Sequence, residues 1–320
     1  MQEQSISLGV NQWEENNCDW CGSDQQEKYF DGPDRLEKLP GMFFLVRCKN
    51  CGVYRQNPNL TWEFLSQYYP DDYQSYSYQI SEQTNNWRRI IKEYGNIKRR
   101  KAIETYQRDG KLLEIGCGTG GFLRELSNSG RWELSGIEPN RAAASYAREH
   151  TNAKIIQARL SDVRLENESF DAVVLWTVIE HLSKPRQDLE IIKSLIKPKG
   201  WLFFSVQNLE SIDRWIFRQY WSGWDLPRHL YIFPRQAIHE GLHSLGFRIV
   251  AERCISTSYN AIGHSLEFWS QDWEHKYPRI KKLMMRLYKS WFVRAGLLVP
   301  LAILDRLNLT STITYFAQKL

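Results

Sequence analysis

Glu114 is a residue whose type and position can carry chemistry. It stands inside the apolar run 112–115, which predicts a buried strand, and glycines follow at 116, 118, 120 and 121. Glycine lets the backbone take positive φ and leaves room for a ligand beside the main chain. A helical pattern begins at Phe122, and the free N–H groups of a helix start suit a carboxylate or phosphate. Because a carboxylate repels a pyrophosphate and attracts an ammonium group, Glu114 favours a ligand that resembles an amino acid.

The string EIGCGTG over 114–120 resembles the first motif of the class I S-adenosylmethionine (SAM) methyltransferases. The resemblance implies that Glu114 lies near the methionine amino group of SAM. It also implies that the loop formed by Gly116, Cys117, Gly118 and Gly120 passes under the cofactor. A glycine-rich turn alone leaves a nicotinamide or flavin site open as the alternative.

Four of the six cysteines form two C-x2-C pairs, Cys18 with Cys21 and Cys48 with Cys51, and each pair is followed by glycine. Such pairs let thiolates converge on one tetrahedral metal ion, so the spacing predicts a zinc ribbon with a structural Zn²⁺. Disulfides or unpaired core thiols are the alternatives. Disulfides fit poorly because the N-terminus shows no export signal.

Strands and helices alternate after the glycine turn, which predicts a parallel doubly wound sheet. The predicted second strand, 132–137, ends at Glu138 and Pro139. An acidic residue at this strand end takes the ribose hydroxyls in nucleoside-binding sheets, so Glu138 is the expected ribose ligand. After the third strand Arg159 stands where the family often has an acid, and the backbone of Leu160 or the side chain of Asp162 is expected near adenine instead.

The fourth strand is predicted from SFD at 169–171 followed by AVVLWTVIEHL, which resembles the fourth motif of the same family. Trp176 and Thr177 fall at its carboxyl end, where open α/β sheets place their ligands. His181 follows at the rim. It is interpreted equally as a catalytic group facing the transferred methyl and as a structural histidine bonded to a loop.

An insertion at about 209–234 follows the fifth strand and is expected to form the acceptor pocket. Trp224 and Arg228 are its predicted acceptor-binding residues, because arginine pairs with phosphates and carboxylates. His229 is the predicted general base, since histidine titrates near neutral pH. His181 and Tyr231 are the other candidate bases, and a purely structural His229 is the alternative.

A tyrosine-rich stretch, 57–78, resembles the segment that follows the ribbon in a bacterial group of methyltransferases, many of which act on sugars or on cell-surface and secondary metabolites. In the same group a similar histidine is followed by an aromatic residue, here His229 with Phe233. Tyr73 is therefore a further candidate for acceptor binding. A linker packed on the catalytic domain is an equal interpretation of this stretch.

The expected fold is α/β, a Rossmann-like doubly wound seven-stranded sheet with a small N-terminal zinc ribbon. We expect the ribbon at 1–58, a linker and basic amphipathic helix at 59–108, and the SAM-binding domain at 109–320. Its last strand, 311–318, is expected to insert antiparallel. A second insertion, 259–308, is interpreted as a dimer surface, a substrate cap or a membrane-surface helix, with peripheral membrane contact expected at about 283–304.

These features predict an enzyme that transfers a methyl group from SAM to a small-molecule acceptor, such as a sugar, a glycolipid or a precursor of a cell-surface or secondary metabolite. A methyltransferase for nucleic acid or protein, and a SAM-binding module without catalysis, are the alternatives. Nucleic acid is not favoured, because the net charge of +5 is mild and no RNA-binding motif is recognisable. The sequence shows no apolar run of about 18–20 residues, which predicts a cytoplasmic protein with membrane-peripheral contact left open.

Overall fold

The computed structural model describes residues 12–69, 86–255 and 258–320. The strands in these ranges are β1 Trp13–Glu14, β2 Gln26–Gly32, β3 Phe43–Cys48, β4 Tyr54–Gln56, β5 Asn59–Leu60, β6 Gly110–Ile115, β7 Trp132–Ile137, β8 Lys154–Ile156, β9 Phe170–Trp176, β10 Ile196–Gln207, β11 Tyr231–Ile232, β12 Phe247–Arg253 and β13 Thr312–Lys319. The α-helices are α1 Trp62–Leu65, α2 Asn86–Ile103, α3 Gly121–Ser127, α4 Arg141–His150, α5 Pro185–Leu195, α6 Ile212–Phe217, α7 Arg235–Ser244, α8 Tyr259–Gln271, α9 Pro278–Tyr288 and α10 Trp291–Arg306.

The chain divides into two compact units, and the larger sheet defines one of them. This sheet unit contains the described parts of Tyr69–Ser205, His239–Glu252 and Thr314–Leu320. Its seven strands lie in the order β12-β13-β10-β9-β6-β7-β8. β6 pairs in parallel with both β7 and β9, and β10 pairs in parallel with β9. The order reverses between β6 and β9, which confirms the doubly wound Rossmann-like architecture.

The last strand, β13, lies between β12 and β10 in this sheet. Its Tyr315 stacks on Phe204 of β10, with ring centroids 5.1 Å apart. Farther along, the Nζ of Lys319 donates to the carbonyl of Ile196 at 2.7 Å. From Tyr315 to Lys319 the chain advances along β13, while the contacted residues of β10 go back from Phe204 to Ile196. The two strands therefore run antiparallel, as the sequence predicts for 311–318.

The second unit contains the ribbon together with chain from both predicted insertions. This ribbon unit spans the described parts of Met1–Tyr68, Val206–Ile238 and Arg253–Ile313. Its four-stranded antiparallel sheet has the order β11-β4-β3-β2. The edge strand β11 comes from the first insertion and pairs Tyr231 with Arg55. The side-chain amide of Gln56 also donates to the carbonyls of Pro227 and His229 at 2.8 Å, so the insertion is anchored to the ribbon sheet. The domain boundaries drawn from the sequence stay a prediction.

A buried ion cluster holds the same insertion. The guanidinium of Arg228 has no exposed surface and contacts Asp34 at 2.6 Å and Asp225 at 2.7 Å. It also donates to the carbonyl of Tyr68 at 3.3 Å. Burial works against its charge, but the two carboxylates outweigh that effect and raise the pKa of Arg228. The prediction that Arg228 binds an anionic acceptor does not fit this arrangement, because its charge is compensated inside the protein.

The second insertion forms three helices, α8, α9 and α10. The rings of Tyr259 and Tyr288 stack with centroids 4.8 Å apart, and the Tyr259 hydroxyl donates to the Tyr288 carbonyl at 2.6 Å. Arg294 donates to the Tyr259 hydroxyl at 3.1 Å, so this pair fixes both α9 and α10 against α8. Within the described ranges, no helix taken singly has the length and apolar character needed to cross a bilayer. α9 and α10 meet that criterion only as a pair, and they bend by 61° at their junction.

The ion cluster yields a prediction for stability. Asp34→Ala should lower the free energy of unfolding of the ribbon unit by about 3–5 kcal/mol, because it removes one partner of a fully buried ion pair. Arg47→Met is the matched control; Arg47 pairs with Glu27 on the same sheet with both side chains about half exposed, so its loss should cost at most about 1 kcal/mol. Urea unfolding followed by fluorescence measures both. Equal effects of the two variants would contradict the structural role assigned to Arg228.

Candidate functional site

The predicted cofactor residues lie in the sheet unit, at the carboxyl ends of adjacent parallel strands. Glu114 stands near the end of β6, in register with Gly136 of β7 and Val174 of β9. Glu138 directly follows β7, and Trp176 is the last residue of β9. These strands flank the point where the strand order reverses, which is where open α/β sheets bind ligands.

Glu114 is a buried carboxyl group with an unsatisfied oxygen. The residue is 4% exposed, and its Oε2 has no hydrogen-bond partner among the described residues. Burial raises the pKa of Glu114 well above its usual range, an effect that Arg99 opposes and Glu138 reinforces. An unpaired buried carboxyl is unfavourable, so this position suits the positively charged group of a ligand.

A cation and an unsatisfied donor lie beside Glu114. The guanidinium of Arg99 is 5.0 Å from the ring centroid of Trp176, and its charge interacts with Glu114. Burial lowers the pKa of Arg99. The indole Nε1 of Trp176 is buried, and no described residue accepts its hydrogen bond. Cation, indole N–H and carboxyl together complement a group that carries both an ammonium and a carboxylate.

Sequence reasoning missed Arg99, since it identified a basic amphipathic helix within 59–108 and gave no site role to any single basic residue of that helix. A signal was available, because Arg99 precedes Ile103 by four residues and side chains at that spacing share one face of a helix. Ile103 is fully buried. Helical spacing therefore places Arg99 on the same face of α2 as the buried Ile103, which distinguishes it from the basic residues next to it in sequence.

The glycine turn has the predicted backbone geometry. Gly116, Gly118 and Gly120 have φ values of +67°, +53° and +74°. A Cβ at Gly116 would come within 2.6 Å of a methyl group of Val178, so only glycine fits there. The N–H groups of Gly116 and Cys117 both donate to the carbonyl of Ile137, which holds the turn against β7.

Cys117 has a buried side chain, and burial raises the pKa of its thiol. A thiol held in this neutral state is a poor nucleophile. Cys117 thus contributes to the turn through its backbone.

Glu138 joins the turn to the next helix. Its Oε2 accepts from the N–H of Gly118 at 2.8 Å, and its Oε1 accepts from the N–H of Asn140 at 2.9 Å. Pro139 lies between Glu138 and Asn140, whose side chain caps α4. Glu138 therefore links the glycine turn to the start of α4.

The remaining predicted cofactor residues lie at the ends of β8 and β9. Leu160 is buried in the short 3₁₀ turn Leu160–Asp162. Asp162 is engaged by Arg159 at 2.9 Å, and this hydrogen bond lowers the pKa of Asp162. Thr177 has φ of +56°, and its N–H donates to the hydroxyl of Ser205 at 3.0 Å. Such a conformation is uncommon for a residue with a branched side chain and marks a constrained strand end.

His181 and His229, the two histidines proposed as bases, each have one ring nitrogen bonded. In the sheet unit, the Nδ1 of His181 lies 3.0 Å from the hydroxyl of Tyr69, a residue that sequence reasoning did not select. In the ribbon unit, the Nδ1 of His229 lies 2.8 Å from the carbonyl oxygen of Gly223. A carbonyl oxygen only accepts, so the Nδ1 of His229 carries a proton and donates it to this carbonyl.

Tyr231 and Trp224 are core residues of the ribbon unit. Tyr231 is buried in β11, and burial raises the pKa of its hydroxyl. The Nε1 of Trp224 donates to the carbonyl of Arg218 at 2.7 Å, and its buried ring contacts Tyr54 with centroids 5.5 Å apart. A base role for Tyr231 and an acceptor-binding role for Trp224 do not fit this burial. Tyr73 lies outside the described residues.

The four cysteines of the ribbon form one cluster. The sulfurs of Cys18 and Cys51 are 3.7 Å apart, those of Cys21 and Cys48 are 3.6 Å apart, and all four lie within 4.8 Å of one another. Metal–sulfur bonds of about 2.3 Å in a tetrahedron place sulfurs about 3.8 Å apart, whereas a disulfide needs about 2.05 Å. The cluster therefore has the geometry of a tetrahedral four-thiolate metal site.

The thiols of Cys18 and Cys51 share one hydrogen bond. The hydrogen bond with Cys51 lowers the pKa of Cys18 to about 5, and the same bond raises the pKa of Cys51. Gly22 and Gly52, which follow the two pairs, have φ of +77° and +73°, as the predicted tight turns require. The pairs are thus shaped alike, each delivering two sulfurs to the cluster.

Comparisons with known proteins show similarity to part of the chain. A ubiquinone biosynthesis O-methyltransferase of Paraburkholderia phymatum is 31% identical over 104 residues, which cover 31% of this chain and 44% of that protein. An uncharacterized protein of Methanocaldococcus jannaschii is 29% identical over 133 residues, 41% of this chain and 50% of that protein. The chain thus spans about half the length of these relatives.

Among solved structures, a SAM-dependent methyltransferase from Archaeoglobus fulgidus is similar at 18% identity. The similarity covers 71% of this chain and 94% of that chain, with a TM-score of 0.47. The sequence pattern of the methyltransferase domain family matches residues 82–252, more than half of the chain and the whole stretch from β6 to β11. The chain belongs to the methyltransferase domain family.

Proposed function

We propose that this protein transfers a methyl group from SAM to a small-molecule acceptor. The observation that carries the proposal is the buried, unpartnered Oε2 of Glu114 beside Arg99 and the unsatisfied indole N–H of Trp176. SAM carries an amino-acid end, a ribose and an adenine, and the strand ends of the sheet unit offer groups for each of them. The family match supports this assignment.

Each residue of the site has a proposed task. Glu114 accepts hydrogen bonds from the ammonium group of the methionine end, while Arg99 and the Nε1 of Trp176 bind its carboxylate. Glu138 takes the ribose hydroxyls, and the turn that contains Gly116 leaves room for the cofactor. The backbone of Leu160 lies against adenine. When bound, SAM supplies a methyl group already activated on a sulfonium, so the protein mainly aligns the acceptor and removes its proton.

His229 is the proposed base. The hydrogen bond from its Nδ1 to the carbonyl of Gly223 orients the ring, and an imidazole is a common general base for the proton of an acceptor hydroxyl. His181, with its Nδ1 bonded to Tyr69, is the second candidate. Relatives whose name includes O-methyltransferase support a hydroxyl as the acceptor group. A sugar, a glycolipid or a related metabolite is the proposed acceptor class.

We further propose that Cys18, Cys21, Cys48 and Cys51 bind one structural Zn²⁺. The fit of their sulfur spacing to a tetrahedral thiolate site supports this. Four thiolates leave no open coordination position, so the ion would stabilise the ribbon without taking part in methyl transfer. The cluster is also tied to α7, since Trp20, which lies between Cys18 and Cys21, donates to the carbonyl of Ala237 at 3.0 Å.

The Glu114 assignment predicts how SAM binding depends on pH. The ammonium group requires ionised Glu114, whose pKa is raised in the free protein, so SAM affinity should fall as pH decreases toward and below that pKa. Glu114→Gln should weaken binding by about 1.5–3 kcal/mol, the usual value of a hydrogen bond to a charged group, and flatten the pH dependence. Calorimetry with SAM over a series of pH values measures both the affinity and its pH dependence.

Glu133→Gln is the matched control, since Glu133 lies on neighbouring β7 with its side chain 71% exposed. It should leave affinity unchanged. Glu138→Ala should weaken binding by about 1–3 kcal/mol, because the ribose loses a buried polar partner. Wild-type affinity and pH dependence in Glu114→Gln would show that the ammonium group binds elsewhere.

The zinc proposal predicts metal content. Purified protein should contain about one zinc per chain. Cys18→Ser should lose the metal and loosen the ribbon while SAM binding persists. Cys254→Ser, which alters a buried cysteine outside the cluster, should keep the metal. Elemental analysis of each purified variant measures the zinc content. One zinc per chain in a variant that lacks both cysteine pairs would refute the site.

The base assignment predicts a selective loss of turnover. Radiolabelled SAM and fractionated cell metabolites first identify an accepted acceptor, and label appearing only in RNA or protein would overturn the small-molecule proposal. With that acceptor, His229→Ala should keep SAM affinity and melting temperature but lower turnover by about 10²-fold or more. Exposed His243 is the control, and His243→Ala should behave as wild type. If His229→Ala turns over normally, His181 becomes the candidate base. If the variant melts at a lower temperature than wild type, the role of His229 is structural.

A further inference from the structure

The helices α9 and α10 expose an unusual concentration of apolar side chains. Ten of the twenty large hydrophobic residues exposed in the described ranges lie between 277 and 307. On α9 the exposed residues Ile280, Leu283 and Leu287 follow the spacing i, i+3, i+7, so they form one stripe. On α10 the exposed set is Trp291, Phe292, Leu298, Val299 and Ile303.

These exposed faces are not the faces that hold the helices in place. Tyr288 and Leu301 are the buried apolar residues of α9 and α10. The stacking of Tyr288 on Tyr259 and the bond from Arg294 fix both helices to α8. The packing of the ribbon unit therefore leaves the two apolar stripes outside. A concentration of exposed apolar side chains of this kind usually marks an interaction surface.

Positive charge accompanies the stripes. Residues 276–307 contain eight basic residues and one acidic residue, while the whole chain has a net charge of +5. The one acid, Asp305, accepts a hydrogen bond from Thr310 at 2.8 Å. A cavity of about 750 Å³ borders α9. Its charged lining is mostly basic, with Lys281, Lys282, Arg286 and Lys289 against Glu267 and Glu274, and Glu274 pairs with Lys281. This segment is thus far more basic than the rest of the protein.

We propose that α9 and α10 bind the surface of an anionic phospholipid bilayer. Their apolar stripes would enter the interface, with Trp291 and Phe292 at the bend between the helices, and the flanking lysines and arginines would contact lipid phosphates. Charge decides against a second copy of this chain on the same face, because two identical basic surfaces repel each other across a symmetric contact. The inference is independent of the methyl-transfer chemistry.

Vesicle flotation with the full chain tests the proposal. The protein should float with vesicles of phosphatidylcholine that contain about 30 mol% phosphatidylglycerol and stay behind with pure phosphatidylcholine, since anionic lipid attracts basic segments. Raising salt from about 0.1 to 0.5 M should weaken binding, because the Debye length shortens. Trp291→Ser/Phe292→Ser and Lys282→Glu/Arg286→Glu should each lower the partition coefficient by about tenfold or more.

The matched control is Trp215→Ser/Ile216→Ser on α6, which removes equally exposed apolar side chains (73% and 57%) outside the surface and should leave partitioning unchanged. Circular dichroism verifies that each variant is folded. The proposal fails if wild type does not bind anionic vesicles, or if the control loses binding as much as the α10 variant. It also fails if Trp291→Ser/Phe292→Ser instead splits a stable oligomer and vesicles have no effect, since the face would then be a protein interface.

Discussion

The desolvation of one carboxyl group organises the sheet unit. Glu114 is buried at the end of β6, where water cannot satisfy its Oε2, and no described residue does so either. Such a group remains ionised only beside a cation. Arg99 supplies part of that charge from α2, and Trp176 presents an indole N–H from the neighbouring strand. This arrangement of a buried carboxyl, a cation and an indole N–H is what the proposed zwitterionic end of SAM would complement.

The ribbon unit depends on polar anchors between segments far apart in sequence. Arg228 and Asp34 are 194 positions apart and form a fully buried ion pair. The same insertion adds β11 to the ribbon sheet and places the indole of Trp224 against Tyr54. An apolar contact alone would tolerate sliding, whereas paired charges and strand hydrogen bonds fix one register. The region that carries His229 is thereby held by the part of the chain that contains the cysteine cluster.

Sequence reasoning predicted what short-range spacing determines. The glycine turn, the cysteine pairs and Glu138 are each defined within a few residues, because backbone conformation and ligand geometry act locally there. Arg228, Trp224 and Tyr231 were assigned to the acceptor from local context, but their surroundings come from β4, Asp34 and the aromatic residues of the ribbon sheet. Arg99 was missed for the related reason that burial depends on which helix face meets the sheet. Spacing within one segment does not specify which distant segment will cover it.

The hydrogen bond from Nδ1 of His229 to the carbonyl of Gly223 shows how a structural contact can also prepare chemistry. It ties the insertion together, as the structural interpretation requires, and it orients the ring, as the catalytic interpretation requires. The two roles therefore do not compete at this atom. They differ in one respect, because only a base must take up the proton of the acceptor. Selective loss of proton transfer at preserved stability is consequently the property that distinguishes a base from a loop tie.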